Sequence, residues 1–213
     1  MKEFWPEIVT KASWEELQRL AKEMDFVLIG GWAAYLWTDQ HKSRDIDLIV
    51  SHEMLARLKE RYELVKNARL KKYEIKRGEF DVDVYVPFFS PLVVPPEDIL
   101  ARHHTRIRGI QVVSLEALLV LKQAAYLDRR GSIKGKKDEI DLLTLLLYAS
   151  PDWTRYLGLL KEYGKQSYAE SLLQTVREAH AEDLDYLGIP FKDFKAWQKR
   201  TVKELAARFS RRG

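Results

Sequence analysis

Residues 26–50, FVLIGGWAAYLWTDQHKSRDIDLIV, constrain the fold more than any other stretch of the chain. Phe26, Val27, Leu28 and Ile29 are apolar without interruption, the mark of a strand buried on both faces. Gly30 and Gly31 end that run and let the backbone turn sharply with no Cβ in the way. Residues 32–37 then read as a short helix whose N-terminus lies at the turn. Free N–H groups and the helix dipole make such a turn a site for anions. The polar connection His41-Lys42-Ser43-Arg44 leads into a second strand, 45–50. Alternation along it puts Asp45 and Asp47 on one face and Ile46 and Leu48 on the other. Two carboxylates about 7 Å apart on one strand face are a way to hold two Mg²⁺ ions. The anion turn and the carboxylates would face each other.

The order Gly30-Gly31, helix, Asp45-Ile46-Asp47-Leu48 resembles the signature of the nucleotidyltransferase superfamily, the polymerase-β-like fold. The approach His41-Lys42-Ser43-Arg44 is similar to the polar run before Asp-x-Asp in many small members, which places Ser43 and Arg44 beside the nucleotide. Many members carry serine at the second turn position, where its hydroxyl touches the triphosphate. Gly31 lacks that hydroxyl, so the resemblance leaves backbone contacts there and implies that serine would be accommodated at 31. It also implies a chemistry: transfer of an NMP from an NTP to an acceptor hydroxyl with release of pyrophosphate. Two Mg²⁺ ions would rest on Asp45, Asp47 and a third carboxylate from the neighbouring strand.

Residues 80–86, FDVDVYV, supply candidates for that third carboxylate. They alternate strongly and are stopped by Pro87. Asp81 and Asp83 share one face, opposite Val82 and Val84, and either can serve. The exit Val84-Tyr85-Val86 resembles the family pattern and favours Asp83. Farther on, Lys122, Arg129-Arg130, Lys137-Asp138 and Asp141 resemble the helical part of a branch that includes toxins of abortive-infection and toxin–antitoxin systems. By that resemblance Lys122 reaches the triphosphate and Asp138 orients the site. Asp138, Glu139 and Asp141 also suit a helix N-terminus by charge alone.

Caps and turns divide the rest of the chain. Ser13 is placed to cap a helix over 13–24, after a lead-in. Ser51 caps a helix over 51–62, residues 64–75 give one or two strand pieces, and 106–113 make a hairpin around Gly109 or a last strand. Ser114 caps a helix over 114–128, a second helix starts at Lys137, and only helices come after Pro151. This predicts an α/β (α+β) nucleotidyltransferase domain, a mixed sheet flanked by helices, over residues 1–113. An all-α domain occupies 114–213, with the active site between the two. Trp32 and Trp37 suit either base stacking or core packing.

Composition narrows the partners. The absence of cysteine excludes disulfides and thiolate metal sites. No stretch is long and apolar enough to span a membrane and no leader pattern opens the chain, so a cytoplasmic protein is expected. The net charge of +4 suits a nucleotide or another polyanion. Lys195, Lys199, Arg200, Lys203, Arg208, Arg211 and Arg212 gather near the C-terminus, either to meet RNA phosphates or as a solvated helix face. The acceptor stays open among an RNA 3′ end, a protein hydroxyl and a small molecule. Two other uses of the fold stand beside catalysis of this kind. One is a degenerate module that binds a nucleotide, RNA or a helical partner without chemistry. The other is a toxin masked by a partner protein.

Overall fold

The computed structural model describes residues 3–180 and 184–209. The strands are β1 (Val27–Ile29), β2 (Ile46–Ile49), β3 (Val65–Asn67), β4 (Lys72–Lys76), β5 (Asp81–Tyr85), β6 (His104–Ile107) and β7 (Ile110–Val113). They form one seven-stranded mixed sheet in the order β3-β4-β5-β2-β1-β7-β6. The central strands are the apolar ones: β1 is buried throughout, and the Ile46, Leu48, Val82 and Val84 side chains are all in the core. β2 runs antiparallel to β1 and parallel to β5, while β4 runs antiparallel to β5.

Helices α1 (Glu7–Glu23), α2 (Gly30–Thr38), α3 (His52–Arg61) and α4 (Pro96–Arg102) accompany the sheet. From Leu115 onward the described chain is helical: α5 (Leu115–Arg129), α6 (Ile133–Tyr148), α7 (Trp153–Glu162), α8 (Ser167–Glu178), α9 (Leu184–Leu187) and α10 (Phe191–Phe209). The architecture is α+β, a mixed sheet flanked by helices and succeeded by a helical part. α2 packs on both α5 and α6, and one continuous apolar cluster joins Leu17, Leu28, Leu48, Leu118, Leu142 and Phe194. Each fully buried leucine of this kind stabilises the fold by roughly 2 kcal/mol.

Several boundaries differ from those read in the sequence, each for a local reason. α1 starts at Glu7, with Pro6 fixing the backbone just before it. Ser13 therefore lies inside the helix, buried, and its Oγ accepts the indole N–H of Trp32 at 2.8 Å. Trp32 is 1% exposed and Trp37 donates to the Val113 carbonyl at 3.0 Å, so both indoles belong to packing. Ser51 caps α3 as expected, accepting from the Met54 N–H at 3.1 Å, but Ser114 makes no side-chain cap. α6 begins four residues before Lys137, because Ser132 caps it by accepting the Gly135 N–H at 3.0 Å. Asp138 and Asp141 consequently sit within the helix, beyond its first turn, and the dipole does not account for them. Of the C-terminal cations, Lys195, Lys199, Arg200, Lys203 and Arg208 lie on α10; Arg211 and Arg212 fall outside the described residues.

Candidate active site

The sheet register brings carboxylates together. Asp47 on β2 is paired with Asp83 on β5, and Asp83 is paired on its other side with Glu74 on β4. Residues paired across a ladder project to the same face, so three carboxylates crowd one side of the sheet. Tyr85, two residues beyond Asp83, shares that face and donates its hydroxyl to Asp47 Oδ1 at 3.3 Å. Lys72, two residues before Glu74, donates Nζ to Asp83 Oδ2 at 2.5 Å and lies 3.2 Å from Glu74 Oε1. Asp83 Oδ1 is buried with no hydrogen-bond partner.

The glycine turn fits over this face with no space left. Gly30 opens α2 at a φ of +70°, and a Cβ there would stand 2.0 Å from Asp47 Oδ2. A Cβ on Gly31 would stand 2.4 Å from the Ser43 hydroxyl oxygen. This corrects the expectation that serine would be accommodated at 31, since the Ser43 side chain already takes the room. The strand entry holds Asp45 tightly. Arg44 binds it through two bonds, Nη2 to Oδ2 at 3.0 Å and Nε to Oδ1 at 3.1 Å, and the Asp81 N–H donates to Oδ1 at 3.3 Å. The Arg44 guanidinium in turn lies 4.8 Å over the Trp5 ring. The Asp81 side chain pairs with Lys76 at 2.9 Å instead.

Across from the sheet, α5 and α6 contribute a buried ionic network. Lys122 Nζ is 2.6 Å from Asp141 Oδ2 and 3.3 Å from Asp138 Oδ1. Arg129 Nε donates to Asp138 Oδ2 at 2.6 Å, and Lys137 bonds Asp141. Three cations face two carboxylates, which leaves this wall one positive charge in excess.

Sheet and helices enclose a cleft of about 530 Å³. Gly30, Gly31, Ser43, Asp45, Asp47, Asp83, Lys122 and Asp138 all line it, whereas Arg44 stands behind Asp45 and Asp81 is not among the lining residues. Lys72, Tyr85, Arg129, Lys134, Lys137 and Asp141 line it as well, together with an apolar wall that includes Leu70, Leu92, Leu118 and Leu121. Lys72 and Tyr85 carry a sequence signal, since each alternates in phase with acidic residues of its own strand (Glu74, Asp83). That β4 and β5 lie side by side is what makes the signal matter, and alternation within one strand does not reveal it.

Burial and charge tune these groups. Burial, then the Asp83 charge, pushes the Asp47 carboxyl up to about 7. Asp83 is likewise raised by burial, with Lys72 working against the shift. Burial and then the Asp47 charge keep the Tyr85 hydroxyl protonated well above its usual range. Lys122 feels burial most, yet Asp141 and Asp138 outweigh it and raise its pKa. Burial dominates at Lys137 and lowers it.

No family model matches the chain, and no curated protein matches it in sequence. Solved structures do match it in shape. One is a candidate nucleotidyltransferase from Helicobacter pylori, at 15% identity and a TM-score of 0.54 over 97% of this chain and 98% of that one. The chain has the nucleotidyltransferase fold. A second match is JHP933 from Helicobacter pylori, at 15% identity and a TM-score of 0.51, covering 95% of this chain and 94% of that one. An antigenic nucleotidyltransferase-like protein from Paracoccidioides brasiliensis superposes more loosely, at 19% identity and a TM-score of 0.41 over 78% of this chain and 92% of that one. In this nucleotidyltransferase fold the carboxylate face of the sheet and the cationic face of α5 and α6 form opposite walls of one cleft. No described helix is long and apolar enough to cross a membrane.

Proposed function

We propose that the cleft binds a nucleoside triphosphate with Mg²⁺ and transfers its NMP to an acceptor hydroxyl, releasing pyrophosphate. The observation that supports this best is the pairing of Asp47 with Asp83 beneath the N-terminus of α2, with the Asp47 carboxylate in the space a Gly30 Cβ would fill. Anion-binding N–H groups and cation-binding carboxylates then meet at one place.

The residues fit a divalent cation. Asp83 Oδ1 is buried and unpartnered, and Asp47 is pushed up to about 7 by burial and by the neighbouring carboxylates. A cation relieves both. Among the described residues no three His, Asp or Glu side chains form a ready-made metal cage. Mg²⁺ commonly rests on one or two carboxylates and completes its shell with phosphate oxygens and water. Asp47 and Asp83 would hold one ion, and Asp45 would hold the second after Arg44 releases it. When bound, the metal neutralises phosphate charge and lowers the pKa of the acceptor hydroxyl.

The side chains and backbone do the remainder. The N–H groups at the start of α2 and the Ser43 hydroxyl bind the β- and γ-phosphates. Lys122, oriented by Asp138, and Arg129 carry the excess positive charge of the opposite wall toward the same phosphates. The acceptor oxygen attacks the α-phosphorus, the bond from that phosphorus to the bridging oxygen breaks, and pyrophosphate leaves with the electron pair. The acceptor hydroxyl gives up its proton to water, and Asp83 stays beside it as a carboxylate that would hold the ion. Calorimetry with Mg²⁺ and each NTP tests the binding step: Asp47→Asn should abolish Mg²⁺-dependent affinity, and an unchanged affinity would overturn the proposal.

One observation favours a second reading, nucleotide binding without chemistry. Arg44 and Lys72 already neutralise Asp45 and Asp83 within the protein. On that reading NTP binds and pyrophosphate is never released.

A further inference from the structure

We propose that the lip of the cleft made by the β3–β4 hairpin tip and the turn at 87–90 binds single-stranded nucleic acid and so delivers a 3′ end to the carboxylates. This rests on the cleft being a nucleotidyltransferase site. Residues 64–73 contain Lys66, Arg69, Lys71 and Lys72 and no carboxylate. Lys72 turns inward to Asp83, while Lys66, Arg69 and Lys71 are exposed. Among the described residues Arg69 and Lys71 form no ion pair, and Lys66 Nζ rests 4.9 Å from the Phe89 ring centre. Beside this basic tip, Phe88 is 86% exposed and has a φ of +57°.

A large aromatic side chain held in the left-handed region is strained, and such outliers concentrate where ligands are met. Phe88 gains nothing from burial that would offset this. Its backbone is nevertheless held in place. The Phe88 N–H donates to Glu97 Oε2 at 3.3 Å, and the Val86 N–H donates to Ser90 Oγ at 3.1 Å. Ser90 Oγ then donates to the Lys71 carbonyl at 2.7 Å, tying the turn to the hairpin tip. The assembled lip opens directly into the cleft, because Leu70, Lys72 and Leu92 line the same cavity as Asp47 and Asp83.

Unpaired cations along a rail and an exposed aromatic ring on a tethered turn are what a single strand needs: phosphates for the first and a base face for the second. An acidic peptide would answer the cations but would leave Phe88 in water. The chemistry shared by RNA and DNA is the ligand chemistry proposed.

The test is fluorescence anisotropy with the full chain and labelled single-stranded RNA and DNA 12-mers across a salt series. MgATP binding is measured separately by calorimetry. Arg69→Glu with Lys71→Glu should weaken strand binding at least about tenfold and flatten the salt slope by about 1.4, the share of two phosphate contacts. Phe88→Ala should weaken it about tenfold with no change of slope. Lys199→Glu with Arg200→Glu, on α10, should leave it as in the wild type, and MgATP binding should stay unchanged in all three. The RNA and DNA arms tell which strand the lip prefers. Wild-type affinity in both lip variants, loss only in the α10 variant, no strand binding at all, or tighter binding of an acidic peptide at the lip would each overturn the proposal. Lip-dependent strand binding in a protein that takes no MgATP would instead sink the reading of the cleft.

Discussion

The Asp47 carboxylate fills the space beside Gly30 in which any other residue would place its Cβ: the two would be 2.0 Å apart. Gly30→Ala must therefore push away a half-buried carboxylate and also hold a non-glycine residue at a φ of +70°. The expected outcome is a loss of about 3 kcal/mol in urea denaturation together with loss of Mg²⁺-dependent NTP binding. A variant that melts and binds like the wild type would show that Asp47 and the turn are not interlocked.

Gly31 is matched to Ser43 in the same way, through a 2.4 Å approach of a built Cβ to the hydroxyl oxygen. Gly31→Ala should lose stability by about 2 kcal/mol. Adding Ser43→Gly, which removes both clashing atoms, should recover most of it. A double variant no more stable than the single one would place the cost elsewhere than at this contact.

Asp81 and Asp83 share a strand but not an environment. Asp83 lies opposite Asp47 and lines the cleft, while Asp81 pairs with Lys76. Asp83→Asn should lower turnover by about three orders of magnitude or more, and Asp81→Asn by about tenfold. The reverse order would move the third carboxylate to Asp81.

Stability should depend on pH through Asp47. Its carboxyl is pushed up to about 7, so the folded chain holds that proton more tightly than the unfolded one. Such a group contributes its full stabilisation below its unfolded pKa, and the contribution is lost as pH rises through the folded pKa. Between about pH 4 and pH 7 the metal-free protein should lose on the order of 4 kcal/mol from this source. Asp47→Asn should not show that loss, so the variant should melt above the wild type at pH 8, and Mg²⁺ with NTP should narrow the gap. Parallel pH profiles for the two proteins would contradict the assignment.

Lys122 is committed to Asp141 and Asp138 within the protein, both of them nearly inaccessible to water. Replacing it by methionine strands part of the charge of two buried carboxylates, and should cost about 3 kcal/mol in a denaturant titration. A loss below about 1 kcal/mol accompanied by abolished NTP binding would show that Lys122 serves the ligand alone.

How far the sequence discloses this site depends on how local each feature is. The strand, the Gly-Gly turn, the helix and the Asp-x-Asp strand are adjacent in the chain, and burial alone imposes their pattern, so Gly30, Gly31, Asp45 and Asp47 stand out in the sequence. Alternation cannot choose between Asp81 and Asp83, because both share a face; the β2–β5 register separates them. Lys72 has no meaning until β4 lies beside β5. Ser13 has the look of a cap and draws the start of α1 too late, whereas Pro6-Glu7 is the start signal and Ser13 serves the Trp32 indole. The fit of Ser43 against Gly31 is a tertiary contact between a turn and a later loop and has no one-dimensional trace.

The most direct measurement is NMP transfer itself. The protein is incubated with Mg²⁺, each α-labelled NTP and total cellular RNA and protein, and both labelled acceptor and pyrophosphate are monitored. The expected result is a label on one class of acceptor with an equal yield of pyrophosphate, absent with Asp47→Asn and with Asp83→Asn. Tight MgNTP binding with no label transferred and no pyrophosphate released would contradict the catalytic reading and leave a nucleotide-binding module.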